Sequence, residues 1–469
     1  MLPLVAFPEV VEHYAPHFAA VFSDEALIQF KRYLSGLLVS ENKTVDGINR
    51  LFVHESRHQS SLNRLLTATP LALDELNQAR LAVLQAVPGT QVKPKGVLSL
   101  DDTLLTHYGQ HFEQIAYLYD SSQQRWGWAH NLVTLHYSDE LTDYPLAFEL
   151  WQPADLARIE HGLGAAGITL KASKQALKES APKKWRQYLL GVWRRHQSNP
   201  QVAALYDSKL RIARRLVEQW GAQHPAQTLP VTFDCWYTQP AFCHDLDGLG
   251  VPYVGPLAED AQVVCPHGQE ALADFAARLK QEQRAALTAG HKPLFRPLTI
   301  PFKGTRERYY SYCQTHRIKN FGKVRLVINH RQADLSDKPS YYITNRLHWQ
   351  AEGITRIRRH RWPVEVYHEE GKAEGLDQYQ LRDFEAITRH VALVAVVYSL
   401  LRAAQQDKIL QQTLQRELKL ELDGSVPFWR RVSQAHSLWS LALFVSTGLA
   451  QGHSLQQVMA PLLHTICSR

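Results

Sequence analysis

The sequence lacks an apolar run long enough to cross a membrane. Its longest such run, residues 391–401, contains Tyr398 and Ser399 and is too short for a bilayer. The N-terminus has neither the basic segment nor the long apolar segment of a signal peptide. We therefore expect a cytoplasmic protein without a membrane partner.

Cysteine is scarce and irregularly spaced. Five cysteines are an odd number without a regular framework, which indicates a reducing compartment. No Cys-x2-Cys or His-x3-His spacing supports zinc binding. The residues that would have to form such a site are Cys235, Cys243, His244, Cys265 and His267. Free or buried thiols are therefore the better interpretation of these cysteines. Internal repeats and low-complexity tracts are also absent.

Length and charge set broad limits on the architecture and on the partner. A chain of 469 residues can bury more than one core, so roughly two to four structural units are expected. Lys and Arg number 52 and Asp and Glu number 45, which gives a net charge of +7. This excess is modest but allows an anionic partner such as DNA.

One stretch, residues 358–380, combines cations and carboxylates at helical spacing. It reads RRHRWPVEVYHEEGKAEGLDQYQ. Pro363 suits the first turn of a helix, and Glu365 falls in the same turn, where the helix dipole favours a carboxylate. A carboxylate surrounded by Arg and Lys suits a site that binds a divalent cation and phosphates. The alternative is an amphipathic surface helix with a mixed-charge face.

This stretch resembles the signature of the DDE transposases of bacterial insertion sequences, Tyr-x2-Arg-x3-Glu-x6-Lys. Arg361, Glu365 and Lys372 match its last three positions in type and spacing, and Arg358 stands where the family has Tyr. The sequence RWPVE resembles that of the insertion-sequence group numbered seven hundred and one, a relative of group four. The resemblance implies that Glu365 is the third catalytic acid and a metal ligand, and that the three cations contact DNA phosphates.

Two further acids follow apolar strands. VLSL leads into Asp101-Asp102, and TLPVTF leads into Asp234. A carboxylate at the end of a buried strand is costly unless it has a partner or a metal. By resemblance, Asp101 and Asp234 are the first and second catalytic acids and metal ligands, and Trp236 contacts DNA. Asp102 remains the close alternative to Asp101, because a one-residue shift moves the side chain to the other face of a strand.

The region before the first acid has helical patterns throughout. Ser23 and Thr44 are predicted helix N-caps. Residues 44–52 and 53–66 form two short predicted helices with a tight joint, consistent with a helix-turn-helix. An ordinary helical subdomain with a polar face is the alternative.

The second of these short helices carries side chains suited to DNA. Arg57 and Arg64 are able to meet phosphates and base edges. The region also resembles the N-terminal helical domain of the transposase family. The resemblance implies that it binds DNA.

Strand patterns surround the two aspartates. Residues 115–120, 128–137 and 144–151 are predicted strands after the first acid. Residues 323–331 and 339–347 form another predicted strand pair after the second acid. A predicted helix, residues 271–289, lies between the second acid and this strand pair.

These elements and the resemblance predict an α/β fold, an RNase H-like mixed sheet flanked by helices. We expect an N-terminal all-helical DNA-binding domain over 1–92 and a β-rich insertion between the second and third acids over 258–350. The catalytic domain would consist of 96–257 and 351–404, and a helical C-terminal tail would occupy 405–469.

Two groups of aromatic residues are candidates for DNA contacts. Trp185, Tyr188 and Trp193 are interleaved with eight cations between residues 170 and 195, which suits a nucleic-acid backbone, although a solvated basic face is equally consistent. In the family, an aromatic residue of the insertion can hold a flipped base. Trp349 and Tyr341 are the candidates for that role.

The leading hypothesis is a DDE transposase that acts on the terminal inverted repeats of its own element. It would use Mg²⁺, for which Mn²⁺ can substitute, and would act on double-stranded DNA as a homodimer in the bacterial cytoplasm, at the nucleoid. The alternatives are a catalytically silent, transposase-derived repressor and an RNase H-like nuclease without strand transfer. A metal hydrolase with another substrate would leave the basic surface unused.

Overall fold

A mixed sheet of twelve strands runs through the described part of the protein. The structure is a computed structural model that describes residues 3–266 and 268–467. The strands are β1 (Val97–His107), β2 (Ala116–Asp120), β3 (Arg125–Ser138), β4 (Asp143–Trp151), β5 (Val231–Phe233), β6 (Tyr253–Pro256), β7 (Gln262–Cys265), β8 (Gly268–Ala271), β9 (Arg296–Phe302), β10 (Thr305–Ile318), β11 (Gly322–His330) and β12 (Ser340–Thr344).

Helices precede, interrupt and follow this sheet. They are α1 (Glu9–Tyr14), α2 (Asp24–Val39), α3 (Val45–Asn49), α4 (Gln59–Thr67), α5 (Leu73–Ala86), α6 (Leu156–Ala165), α7 (Ala172–Gln175), α8 (Leu177–Ser180), α9 (Pro182–Arg195), α10 (Pro200–Ala203), α11 (Lys209–Gln223), α12 (Pro240–Gly248), α13 (Leu272–Thr288), α14 (Ala351–Arg359), α15 (Trp362–Ala373), α16 (Phe384–Ala404), α17 (Lys408–Leu418), α18 (Val426–Ala450) and α19 (Leu455–Cys467). A 3₁₀ turn, Ala15–Phe18, follows α1.

The first half of the sheet contains the strands that carry the two aspartates. β1 pairs with β3 in antiparallel fashion and with β5 in parallel fashion, and β5 pairs in parallel with β6. Both β2 and β4 pair with successive parts of β3. The resulting order β4–β3–β1–β5–β6 confirms the predicted α/β class and RNase H-like sheet.

The insertion between the second and third acids extends the same sheet. β12 pairs with β6 through the neighbours Tyr342 and Pro256, and β11, β10, β7 and β8 follow outward. The predicted strand pair corresponds to β11 and β12, and the predicted helix corresponds to α13. β9 and β10 were not predicted; β10 begins with four consecutive polar or charged residues, 305–308, which give no alternation with apolar residues.

The N-terminal helices share a hydrophobic core with the sheet and with α16. Ser23 and Thr44 cap α2 and α3, accepting hydrogen bonds from the N–H groups of Ala26 and Gly47. The predicted tight joint of a helix-turn-helix is wrong, because residues 50–58 separate α3 from α4. This segment is held by the N-terminus instead, through the N–H of Leu4 and the carbonyl of Leu51.

Helix α16 is the central helix of this core. By length and composition alone it is apolar enough to cross a membrane, but 83% of its most apolar window is buried inside the protein. Asp383 caps its N-terminus by accepting from the N–H of Ala386. Arg389 donates to the carbonyls of Leu66 and Thr69, which ties α16 to the end of α4.

A second helical insertion, α6 to α10, has a small core of its own. Trp185 and Trp193 are only 3% and 2% exposed in it. The Nε1–H of Trp193 donates to the carbonyl of Val202, and the Tyr188 hydroxyl accepts from the N–H of Lys171. The two tryptophans therefore stabilise the insertion, and their predicted role as DNA contacts is wrong.

Candidate active site

A cavity of about 810 Å³ opens beside the middle of β1, where Asp101 lies within the strand rather than at its predicted end, and beyond the carboxyl end of β5. It brings together Asp101, Asp234 and Glu365, which the sequence places more than a hundred residues apart, together with Trp236 and Lys372. Its lining also includes Asp102, Asn131, Lys209, His368, Glu369 and the turn between β2 and β3.

The two aspartates are neighbours because of the strand register. Leu100 of β1 pairs with Phe233 of β5, and Asp101 and Asp234 are the next residues of these parallel strands. The short β5 ends there, and Asp234 accepts a hydrogen bond from the N–H of Tyr237 at 3.2 Å. The turn that follows β5 therefore fixes the second carboxylate beside the first.

Glu365 reaches the cavity from the first turn of α15, as predicted from Pro363. The Arg361 guanidinium donates through Nη1 to Oδ2 of Asp101 at 3.1 Å and through Nη2 to Oε1 of Glu365. One guanidinium thus spans both carboxylates. The order Asp, Asp, Glu converges on a single site.

Asp102 has a different environment from Asp101. Its carboxylate accepts from Nδ2 of Asn131 at 2.6 Å, from Nζ of Lys209 at 2.8 Å and from the hydroxyl of Tyr237 at 2.9 Å. Lys209 begins α11, whereas the partner of Asp101 stands at the start of α15. The two side chains point to opposite faces of β1, as successive residues of a strand do.

The carboxyl groups of Asp101 and Asp234 both have raised pKa values. Burial raises the pKa of Asp101 to about 7; Arg361 opposes this rise, and the charges of Asp234 and Asp102 add to it. Burial also raises the pKa of Asp234, against the N–H of Tyr237. Two buried carboxylates that favour protons in this way would be stabilised by an added cation.

Arg358 positions the second acid. Its Nη1 donates to the carbonyl of Phe233, the residue before Asp234, at 3.1 Å. Burial lowers the pKa of Arg358 to about 10. At the position where the family has Tyr, this chain therefore has a cation that holds the end of β5.

The other predicted site residues lie in different places. Trp236 is at the cavity rim, with Nζ of Lys209 4.1 Å from its ring centroid. Lys372 lines the cavity from the last turn of α15. Arg57 precedes α4 rather than lying on it as predicted, and pairs with Glu55 at 2.9 Å. Neither Arg57 nor Arg64 lines the cavity.

The two aromatic candidates of the insertion also lie outside the cavity. Tyr341 is 7% exposed within the core, so its side chain is not free to stack on a base. Trp349 is half-buried and packs on a small cluster around Ile354.

Asn131, Lys209 and Tyr237 are site residues that the sequence did not single out. Asn131 lies in the predicted strand β3, opposite Leu104 of β1. Tyr237 belongs to the Cys-Trp-Tyr sequence directly after Asp234, and this proximity could have identified it as a site residue. No sequence signal marked Lys209, because it is the first residue of a helix that contains no predicted acid.

The chemistry of the cavity fits a divalent cation. Across residues 3–266 and 268–467, no three His, Cys, Asp or Glu side chains already surround one metal-sized space, and Arg361 lies between Asp101 and Glu365. Carboxylate oxygens are nevertheless the ligands that Mg²⁺ prefers. His267, part of the zinc alternative, lies outside the described residues.

Two family models match the chain. The family model described as "DDE superfamily endonuclease" matches residues 17–294, and the one described as "Transposase DDE domain" matches residues 207–400. A search of curated proteins gave no match.

A solved structure similar to the chain is a cryo-EM structure of the piggyBac transposase synaptic complex with hairpin DNA. It is 10% identical, and the match covers 93% of this chain and 78% of that chain with a TM-score of 0.36. The family is therefore assigned from the two family models. Because the first covers more than half of the sequence, the chain belongs to the DDE superfamily of endonucleases, metal-dependent enzymes of transposition-type DNA cleavage.

Proposed function

We propose that the chain is a cut-and-paste transposase. It cleaves DNA at the terminal inverted repeats of an insertion sequence similar to group seven hundred and one and joins the ends to target DNA, in the bacterial cytoplasm at the nucleoid. The observation that carries this proposal is the cavity in which Asp101, Asp234 and Glu365 meet between cationic side chains.

The three acids are the proposed metal ligands. Asp101 and Asp234 would hold one Mg²⁺ or Mn²⁺ ion between them, and Glu365 would complete a second site. Bound there, two such ions stabilise the attacking and the leaving oxygen of a phosphodiester displacement. The raised pKa values of Asp101 and Asp234 support this assignment, because burial disfavours both charged carboxylates and Arg361 does not offset it.

The cations of the cavity are the proposed phosphate ligands. Arg361 is only 14% exposed and is held by two carboxylates. When cations engage those carboxylates, its planar guanidinium becomes available to donate to a phosphate. Lys372 would add a second positive charge at the opposite end of α15. Both side chains would hold the DNA strand without reacting.

Duplex DNA outside the cavity would meet the N-terminal helices. Arg64 is exposed on α4, and Arg57 is 41% exposed beside Glu55. Both are proposed to contact the element ends through phosphates, which gives salt-dependent binding.

The C-terminal helices supply the proposed homodimer contact. Residues 432–467 contain no Asp, Glu, Lys or Arg. The second half of α18 and α19 expose the apolar side chains Leu438, Trp439, Leu443, Phe444, Leu455 and Leu463. A surface without cations does not suit phosphates, whereas the same surface of a second copy would cover it.

The decisive test is cleavage of labelled duplex that carries the terminal repeat of the source element. Wild type and Glu365→Gln would be compared with Mg²⁺ and with EDTA, and Glu369→Gln serves as the matched control on the same helix. We expect metal-dependent cutting at the element boundary that Glu365→Gln abolishes and Glu369→Gln retains.

Other outcomes would redirect the proposal. Sequence-specific binding without cutting would indicate the silent repressor. Cutting that survives Glu365→Gln would move the third acid to Glu369 or Glu370. Of these, Glu369 lines the cavity, whereas Glu370 lies near Arg402 and Asp143. Cutting without any joining of ends to target DNA would indicate a nuclease.

A further inference from the structure

The hairpin formed by β2 and β3 carries aromatic rings in a row on one face. Tyr119 is paired in register with Trp126, and Tyr117 with Trp128. The Tyr117 and Trp126 rings are stacked with centroids 5.8 Å apart, and the Tyr119 and Trp126 centroids are 5.5 Å apart. These four residues form what we call the aromatic face.

The aromatic face is exposed although rings of this size are usually buried. Tyr117 is 54% exposed, Tyr119 49% and Trp126 57%. The opposite face of the hairpin contributes Leu118 to the main core. The hairpin is thus anchored on one side and presents several aromatic rings to solvent on the other, an arrangement that indicates a binding surface.

Helix α9 stands across from this face. Lys183, Arg186, Gln187 and Leu190 of α9 enclose, with Tyr117 and Trp126, a groove of about 700 Å³. None of the residues that line the groove is acidic. The groove therefore combines flat apolar rings on one wall with positive charge on the other.

The groove adjoins the catalytic cavity. Tyr119 belongs to the aromatic face and also lines the cavity, together with Asp120, Ser121 and Ser122 of the hairpin turn. A strand that leaves the cavity over this turn would arrive at Trp126 and Tyr117. Its phosphates would then face Lys183 and Arg186.

We propose that this groove binds an unpaired segment of DNA next to the cleavage point, with its bases stacked on Tyr117 and Trp126. Stacking on aromatic rings requires a free base face, which a paired and stacked duplex does not offer. The two cations match the phosphates of that segment. The proposal rests on the proposed function, because it takes DNA as the substrate of the adjacent cavity.

The test measures binding of a short single-stranded oligonucleotide that contains 2-aminopurine, whose fluorescence is quenched by stacking. EDTA is present, so binding does not depend on cleavage. Full-length wild type is compared with Trp126→Ala and Trp126→Phe. Leu287→Ala is the control, since Leu287 is 54% exposed on α13 and belongs to neither the cavity nor the proposed dimer surface. Thermal melting checks that each variant is folded.

We expect Trp126→Ala to weaken binding roughly tenfold or more and to reduce the quenching. Trp126→Phe should restore most of both, and Leu287→Ala should resemble wild type. Fully duplex DNA of the same length should bind Trp126→Ala and wild type equally. The proposal would be overturned if Trp126→Ala bound the single-stranded oligonucleotide as tightly as wild type. It would also be overturned if Trp126→Ala changed only the oligomeric state, because that result would indicate that a protein occupies the groove.

The two proposals fail separately. Trp126-dependent stacking in a protein that cuts no element end would keep the groove and reject the transposase. Cutting that depends on Glu365, with single-strand binding unaffected by Trp126→Ala, would reject only the groove.

Discussion

Two carboxylate sites on the same sheet differ in the number of cations that contact them. In one, Asp143 at the start of β4 accepts from Nζ of Lys303 at 2.6 Å and from Nη2 of Arg402 at 2.8 Å. In the other, Asp101 and Asp234 share mainly the single guanidinium of Arg361. Asp143 therefore has two direct cationic partners, whereas Asp101 has one.

The pKa values follow this difference. Burial acts to raise the pKa of Asp143, but the charges of Arg402 and Lys303 outweigh it and hold that pKa well below its usual range. Burial raises the pKa of Asp101 to about 7, since Arg361 alone does not compensate.

The comparison separates a structural ion cluster from a candidate site. Asp143 joins β4 to α16 through Arg402 and to the turn between β9 and β10 through Lys303, so it ties the insertion to the core. Asp101 is joined to α15 by Arg361 alone, and Asp234 accepts from the N–H of Tyr237 in the turn after β5. Buried carboxylates with so few cationic partners are costly for folding and are typical of functional sites.

The largest expected effect is the loss of cleavage in Asp234→Asn. The amide keeps the shape of the side chain but is a poor ligand for a divalent cation, so the rate of cleavage should fall by roughly 10³-fold or more. Single-turnover cleavage of a labelled element end measures this fall. The free energy of unfolding without metal should stay the same or rise, because a buried charge is removed.

Asp102→Asn is the control for this variant within the same cavity. Its partners Asn131, Lys209 and Tyr237 already occupy both carboxylate oxygens, so we expect activity within about tenfold of wild type. Full loss in Asp102→Asn together with activity in Asp101→Asn would exchange the roles of the two neighbours.

The second effect concerns the structural cluster. Asp143→Asn leaves Arg402, only 13% exposed, without its carboxylate, and should lower the free energy of unfolding by roughly 3–5 kcal/mol. Urea denaturation measures this change. Asp245→Asn breaks the pair with Arg214, which is exposed on both sides, and should cost less than about 1 kcal/mol. Equal losses in both variants would refute the contrast between the clusters.

The third effect is the pH dependence of cation binding. A cation bound at Asp101 must displace its proton below a pKa of about 7, so affinity for Mn²⁺ should fall roughly tenfold per pH unit below that value. Mn²⁺ titrations between pH 6 and 8, followed by electron paramagnetic resonance, measure the slope. In Asp101→Asn, any remaining binding should lose that slope.

The same shift has a consequence for stability without metal. The folded protein holds the Asp101 proton more tightly than the unfolded chain, whose value is 3.8. Between these two values the folded state binds more protons, so the contribution of Asp101 to stability falls as pH rises toward 7. A contribution that rose over this window would contradict the assignment.

Much of the fold could be predicted because its signals are local. Alternating and β-branched residues marked β3, β4, β11 and β12, and Ser23 and Thr44 marked helix starts. The choice between Asp101 and Asp102 could not be made from the sequence. The choice depends on which residue of β1 pairs with Phe233. That residue is Leu100, which is 133 residues away in the sequence.

Aromatic residues show the same limit. Trp185 in a basic helix and Trp126 in a strand both suit DNA on composition alone. Only the packing of α6 to α10 buries Trp185, and only the pairing of β2 with β3 leaves Trp126 exposed beside α9. Which face of an element is covered is decided by tertiary contacts.

The smallest effect that we predict concerns the placement of the second acid. Arg358→Ala removes the hydrogen bond to the carbonyl of Phe233 but leaves all three acids in place, so the cleavage rate should fall by only about three- to tenfold, in line with the net contribution of one ordinary hydrogen bond. The Mn²⁺ concentration needed for half-maximal cleavage should rise, because Asp234 would be held less firmly. Arg358→Lys retains a donor and should recover part of both losses. A fall as large as that of Asp234→Asn would mean that Arg358 contacts the reacting phosphate itself, and the excess of carboxylate in the cavity would then be offset by two cations rather than one.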